Sequence, residues 1–146
     1  MLPLAIGHTF TMRLRVDAAM TARFFACEIH PLYATFAAVE HAEYAARCAI
    51  RSAVEPHEDA IGLAVELEHR APAAVGTLLT IAATVETLEG RDVWCAVAIT
   101  AADGREIARG RTGQRVISRE KRERLVKGEG REKEGRKGER EKEESE

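Results

Sequence analysis

The stretch that most limits what this chain can fold into is Leu32 to Ile50, LYATFAAVEHAEYAARCAI. It is the only segment long and alanine-rich enough to be a principal helix. On a helical wheel at about 100° per residue, Phe36, Val39, Ala46 and Ile50 share one side, with the 3 and 4 spacing of a core-facing stripe. Glu43 falls inside that stripe, and Thr35 stands just upstream at the helix start. A hydroxyl and a carboxylate turned toward a core are expensive unless something uses them.

The helix is expected from about Phe36 to Val54. Pro31 biases His30 away from helix before it, and Pro56 cannot continue it. Upstream, Thr9 to Val16 alternates as a half-buried strand, with Phe10, Met12 and Leu14 on one face. Residues 17 to 31 read as a connection with a short strand at Ala22 to Ala26. Downstream come four strand-like segments, Ala60 to Ala71, Thr77 to Leu88, Val93 to Ala101 and Glu106 to Ser118. The turn Pro72 to Gly76 and hairpin signals at Glu89–Asp92 and Ala102–Arg105 separate them. Strand, helix and a four-strand antiparallel meander give an α+β domain in which one helix covers a curved sheet.

That domain is expected to span residues 1–118. From Arg119 the sequence turns into charged repeats with four glycines and little to bury, so 119–146 is expected to be a disordered tail. The tail holds 11 Lys/Arg and 10 Glu, which leaves 11 basic and 14 acidic residues before it. A mildly acidic domain makes no electrostatic case for nucleic acid. Cys27, Cys48 and Cys95 are scattered without CxxC spacing, so neither a disulfide framework nor a zinc site is expected, and the five His lack ligand spacing for any other metal. No apolar run reaches the roughly 18–20 residues of a membrane span. The opening residues MLPLAIGHTF lack the basic start of a secretion signal. A cytoplasmic protein with reduced thiols is the expectation.

His69 supplies a third polar group. Counted by twos from Ile61, it shares a strand face with Leu63, Val65 and Leu67. Hydroxyl, carboxylate and imidazole converging where a helix meets a sheet make a general acid/base constellation. Each has a plainer reading. Thr35 serves as an N-cap, Glu43 pairs with Arg47 at i, i+4, or His69 is a satisfied core histidine.

The order of elements resembles a hotdog fold, about five antiparallel strands wrapped around one long helix. Within that superfamily the residues resemble the fluoroacetyl-CoA thioesterase-like family of acyl-CoA thioesterases. There the helix opens on a Thr after an aromatic or aliphatic residue and Ala, with Glu eight residues on; here these are Tyr33-Ala34-Thr35 and Glu43. The next strand carries a Gly and, seven residues later, a His before a small Pro- and Gly-containing turn; here these are Gly62, His69 and APAAVG. The resemblance covers roughly residues 5 to 118. It implies hydrolysis of a short acyl-CoA thioester, with Thr35, Glu43 and His69 catalytic, and a homodimer; Gly62 and Phe36 are expected against the substrate, and no cofactor is expected.

Three departures bear on specificity. Phe36 stands where the family has Gly or Pro and narrows the pocket. Gly110-Arg111-Thr112-Gly113-Gln114-Arg115 lacks the His of the family's Gly-x-His-x-Arg strand and displaces its Arg. Ala26 and Ile29 occupy the positions of the family's paired lid phenylalanines. Fluoroacetyl specificity is therefore not implied. The competing functions are a non-catalytic acyl- or small-ligand-binding module, which would bind without releasing thiol, and a hotdog hydratase, whose Asp/His motif is not seen.

Overall fold

Phe10, Met12 and Leu14, which alternate with Thr11, Arg13 and Arg15, lie half-buried along an edge strand, β1 (Thr9–Arg15), in a computed structural model that describes residues 1–128. A hairpin of β2 (Thr21–Phe24) and β3 (Cys27–Tyr33) follows, then helix α1 (Thr35–Ile50) and strands β4 (Glu58–His69), β5 (Leu78–Glu89), β6 (Asp92–Ala101) and β7 (Glu106–Ser118). A short helix, α2 (Arg119–Val126), ends the described part. Five strands form one antiparallel sheet in the order β1-β5-β6-β7-β4, and α1 packs across one face of it. This is the α+β hotdog arrangement expected from the sequence.

The connectivity corrects the expected meander. Only β5, β6 and β7 follow one another as neighbours; β4 pairs with β7, Glu58 opposite Ser118 and His69 opposite Ala108. Residues 70–77 therefore carry the chain across the helix side of the sheet to β5 and do not close a hairpin. Arg105 donates a hydrogen bond to the Pro72 carbonyl, and Ala74 bridges to Leu32, which ties that crossing down. As a result β4 is a twelve-residue edge strand.

Helix α1 buries Ala38, Ala42, Ala45 and Ala49, flanked by Ala37, Ala46 and Ile50, against Leu79, Ile81, Val97 and Ile99 of the sheet. Small side chains let the helix axis approach the strands closely, while the sheet supplies the bulk. The helix is shorter than expected: Ile50 ends it, and a 3₁₀ turn, Arg51–Ala53, replaces its last residues. Of residues 17–31, expected as a connection with one short strand at Ala22 to Ala26, that strand is present as β2; what the expectation lacked is its partner β3, reached by a turn through Phe25 and Ala26 at φ +51° and +65°. The tail expectation is corrected at its start. Ser118 accepts a hydrogen bond from the Lys121 N–H and caps α2, and Arg122 fastens the helix to Asp59 at 2.7 Å. Residues 129–146 lie outside the described part. Among the described residues, the cysteines are free thiols and no helix is long and apolar enough to cross a membrane.

Candidate active site

Thr35 is the first residue of α1, not its cap. The N-cap is Ala34, which has no side chain to offer, and the Thr35 hydroxyl turns to His69, 2.9 Å from its Nδ1. The plain capping role is thereby replaced by a contact between helix and strand. The other ring nitrogen, His69 Nε2, is buried and has no hydrogen-bond partner among the described residues. An imidazole held at one nitrogen and left open at the other is arranged to move a proton.

A second aromatic fixes this ring. Tyr33, 1% exposed, meets His69 edge to face with centroids 6.0 Å apart. Its hydroxyl is 2.6 Å from His41 Nδ1, and the two rings are stacked. Burial, helped by the Glu40 charge, pushes the Tyr33 hydroxyl well above its usual pKa. Burial also lowers His41, against the opposing pull of Glu40 and Asp17. Both groups therefore stay neutral, which suits a buried hydrogen bond. The sequence pattern did not single out this pair.

Glu43 is not in the core. It is exposed, and about 130° around the helix from the alanine stripe by the ~100° step per residue. Ranking faces by bulky residues put the stripe on Phe36 and Val39, whereas the real contact face is alanine. The plainer alternative, an ion pair with Arg47, is not formed either, because that guanidinium reaches Asp59 at 3.1 Å and the Ala60 carbonyl at 3.0 Å. Glu43 instead faces Gly62, where a Cβ would stand 3.5 Å from its Oε1. Eight residues separate Thr35 from Glu43, about 12 Å along the axis at 1.5 Å each. One chain thus carries two halves, Thr35 with His69 and Glu43 with Gly62, rather than one compact triad.

A bulge on β4 determines which groups face the helix. Gly62 pairs with Gln114 and Ala64 with Gly113, so Leu63 is an extra residue without a partner. Before the bulge Ala60 and Gly62 turn toward the helix; after it Val65, Leu67 and His69 do. The expected common face of Ile61, Leu63, Val65, Leu67 and His69 is therefore broken, and Leu63 is exposed.

Phe36 is half-exposed beside Thr35, in edge-to-face contact with Phe24 of the hairpin, centroids 6.3 Å apart. The hairpin thus brings an aromatic over the helix start although Ala26 and Ile29 occupy the expected lid positions. Around Glu43 a 190 Å³ cavity is lined by Tyr44, Arg47, Ala60, Gly62, Thr112 and Gln114. Larger concavities lie elsewhere. One of 510 Å³ is on the opposite face of the sheet, where Glu106 pairs with Arg70 and Arg109 and no imidazole is present. Near the chain start, Glu55, His57 and Glu58 bring possible metal-ligand atoms within 4.8 Å of one another. Its buried carboxylate, Glu58, already pairs with Arg91 and with the N-terminal ammonium at 2.6 Å, so this cluster reads as an ion-pair network.

The family model described as fluoroacetyl-CoA-specific thioesterase matches residues 16–120. The chain belongs to the fluoroacetyl-CoA-specific thioesterase family. A solved hypothetical protein of Thermus thermophilus, described as a thioesterase superfamily member, is 33% identical over 92% of this chain and 99% of its own, with a TM-score of 0.85. The fluoroacetyl-CoA thioesterase FlK is 26% identical over 86% of this chain and 97% of its own, TM-score 0.78. A hot-dog-like protein from Thermanaerovibrio acidaminovorans, 23% identical with a TM-score of 0.78, shares the fold. No curated protein sequence matches the chain. Membership of this thioesterase family makes the chain an acyl-CoA thioesterase of the hotdog fold.

Proposed function

We propose that the protein hydrolyses a short acyl-CoA thioester with Thr35, His69 and Glu43, and that it does so as a homodimer. The observation that carries the reading is the Thr35–His69 hydrogen bond, which leaves a buried, unpartnered Nε2 next to the start of α1. The first N–H groups of a helix lack intrahelical partners and sit at its positive end, where they stabilise a developing oxyanion. Water attacks the thioester carbonyl with the Glu43 carboxylate taking its proton, the C–S bond breaks, and His69 returns a proton to the departing thiolate. The alternative, Glu43 as the nucleophile itself, is distinguished by a mass shift on the enzyme after one turnover in heavy-oxygen water. A family substrate is not transferred whole, because Phe24 and Phe36 form an aromatic cover unlike the family's lid.

The dimer is supported by the split halves and the open edge beside them. Edge β1 has seven residues and carries Arg13 and Arg15; edge β4 has twelve, and its centre, Gly62–Val65, is uncharged. An unpaired edge of this kind is a template for another strand, and a two-fold pairing is self-complementary. Pairing there brings Glu43 of one copy toward Thr35 and His69 of the other, as a 12 Å gap within one chain requires. Glu43→Gln and His69→Ala are each expected to lower CoA release about 10²–10⁴-fold while circular dichroism stays unchanged. Mixing the two variants restores activity if the halves are shared between copies. Unchanged turnover in both variants would falsify the assignment.

A further inference from the structure

Thr112 is 2% exposed, yet its hydroxyl has no hydrogen-bond partner among the described residues, and it lines the cavity that holds Glu43. A buried hydroxyl is almost always satisfied, so an orphan on a cavity wall points to a group that arrives from outside. Gln114, 7% exposed, lines the same cavity two residues along β7, opposite Gly62. Thr112 and Gln114 can each both donate and accept a hydrogen bond, and neither carries charge. Among the described residues the cavity's one cation, Arg47, is turned onto Asp59 and the Ala60 carbonyl, which leaves Glu43 as the uncompensated charge of the described lining. At 190 Å³ the space equals roughly six water volumes of about 30 Å³, enough for a short acyl group and little more.

From these features we infer that Thr112 and Gln114 form a polar subsite selecting short, uncharged acyl groups that carry a hydroxyl near the carbonyl. The inference rests on the thioesterase reading and goes beyond it by naming the substrate class. A substrate hydroxyl satisfies the Thr112 oxygen and bonds the Gln114 amide; a plain alkyl chain leaves both without a partner. A terminal carboxylate on the acyl group faces Glu43 with no free cation to receive it, so diacid thioesters are excluded.

The test compares CoA release from 3-hydroxybutyryl-CoA, butyryl-CoA and succinyl-CoA by a thiol reagent. The native protein is expected to favour the hydroxylated substrate over butyryl-CoA in kcat/KM by about tenfold or more, the worth of one good buried hydrogen bond, with succinyl-CoA slowest. In Thr112→Val, isosteric but without the hydroxyl, that ratio collapses; in Thr112→Ser it returns. Equal rates for hydroxylated and plain substrates, or a ratio unmoved by Thr112→Val, overturn the subsite while leaving the hydrolase intact. Release of CoA from none of the three overturns the thioesterase reading and the subsite with it.

Discussion

His69 owes its orientation to one hydrogen bond and one aromatic edge, so small changes around it have chemical rather than structural effects. Thr35→Val keeps the shape at the helix start and deletes the bond to Nδ1. Its expected signature is a fall in kcat on the order of tenfold, the net worth of about one hydrogen bond, with little change in unfolding midpoint. Steady-state kinetics beside a urea titration check it, and a matching loss of stability would count against a positioning role. The residues of this half were legible in the sequence as chemical types. Their partners were not. Tyr33 was legible only as the aromatic ahead of Ala34-Thr35, and its place between His69 and His41 depends on a hairpin whose turn residues, Phe25 and Ala26, are poor sequence signals for a turn. Thr112 drew notice only as a missing His, because its burial without a partner is a three-dimensional fact.

At the scale of elements, the alternations of β1 and of β5 to β7 were readable because each has one face on the core. Helix α1 was readable in existence and misread in phase, since hydropathy gives alanine little weight and alanine is what it buries. Helix α2 was missed because its support is a cap and an ion pair, not apolar burial. That support gives it a pH dependence. Burial raises the Asp59 carboxyl, but hydrogen bonds from Arg122, the Ala60 N–H and Arg47 outweigh it and leave the group below the usual carboxylate range. A group lowered in the folded state contributes stability above its unfolded value, near 3.9, and loses it as pH falls through the folded one. The difference in unfolding free energy between the native protein and Asp59→Asn is therefore expected to shrink below about pH 4. After solvent screening it amounts to at most about 1 kcal/mol. Denaturant titrations at stepped pH measure it, and a difference that grows on acidification refutes it.

For the whole molecule, the central question is whether a second copy pairs with β4. Leu63→Lys puts a charge in the uncharged centre of that edge, a standard way of blocking strand addition. Sedimentation at several concentrations is expected to show a dimer in the native protein and a monomer in the variant, with CoA release falling in step. A monomer of full activity would place the complete site within one chain. The overall fold could be read from the order of its elements, whereas strand order could not, because a turn of small residues such as Ala71–Gly76 looks alike whether it closes a hairpin or crosses a sheet.

Parity links the edge to the site. Gly62 and His69 are seven residues apart, an odd count that in a regular strand sends side chains to opposite faces. They share the helix side only because Leu63 is spent in the bulge. Every strand pair of β4 survives its removal on paper, so deleting Leu63 is expected to give a folded protein with both halves still facing α1, checked by thermal unfolding and CoA release. The chain is thus expected to tolerate the loss of one residue inside a strand beside its candidate catalytic histidine, at the position where the count of residues and the count of faces disagree.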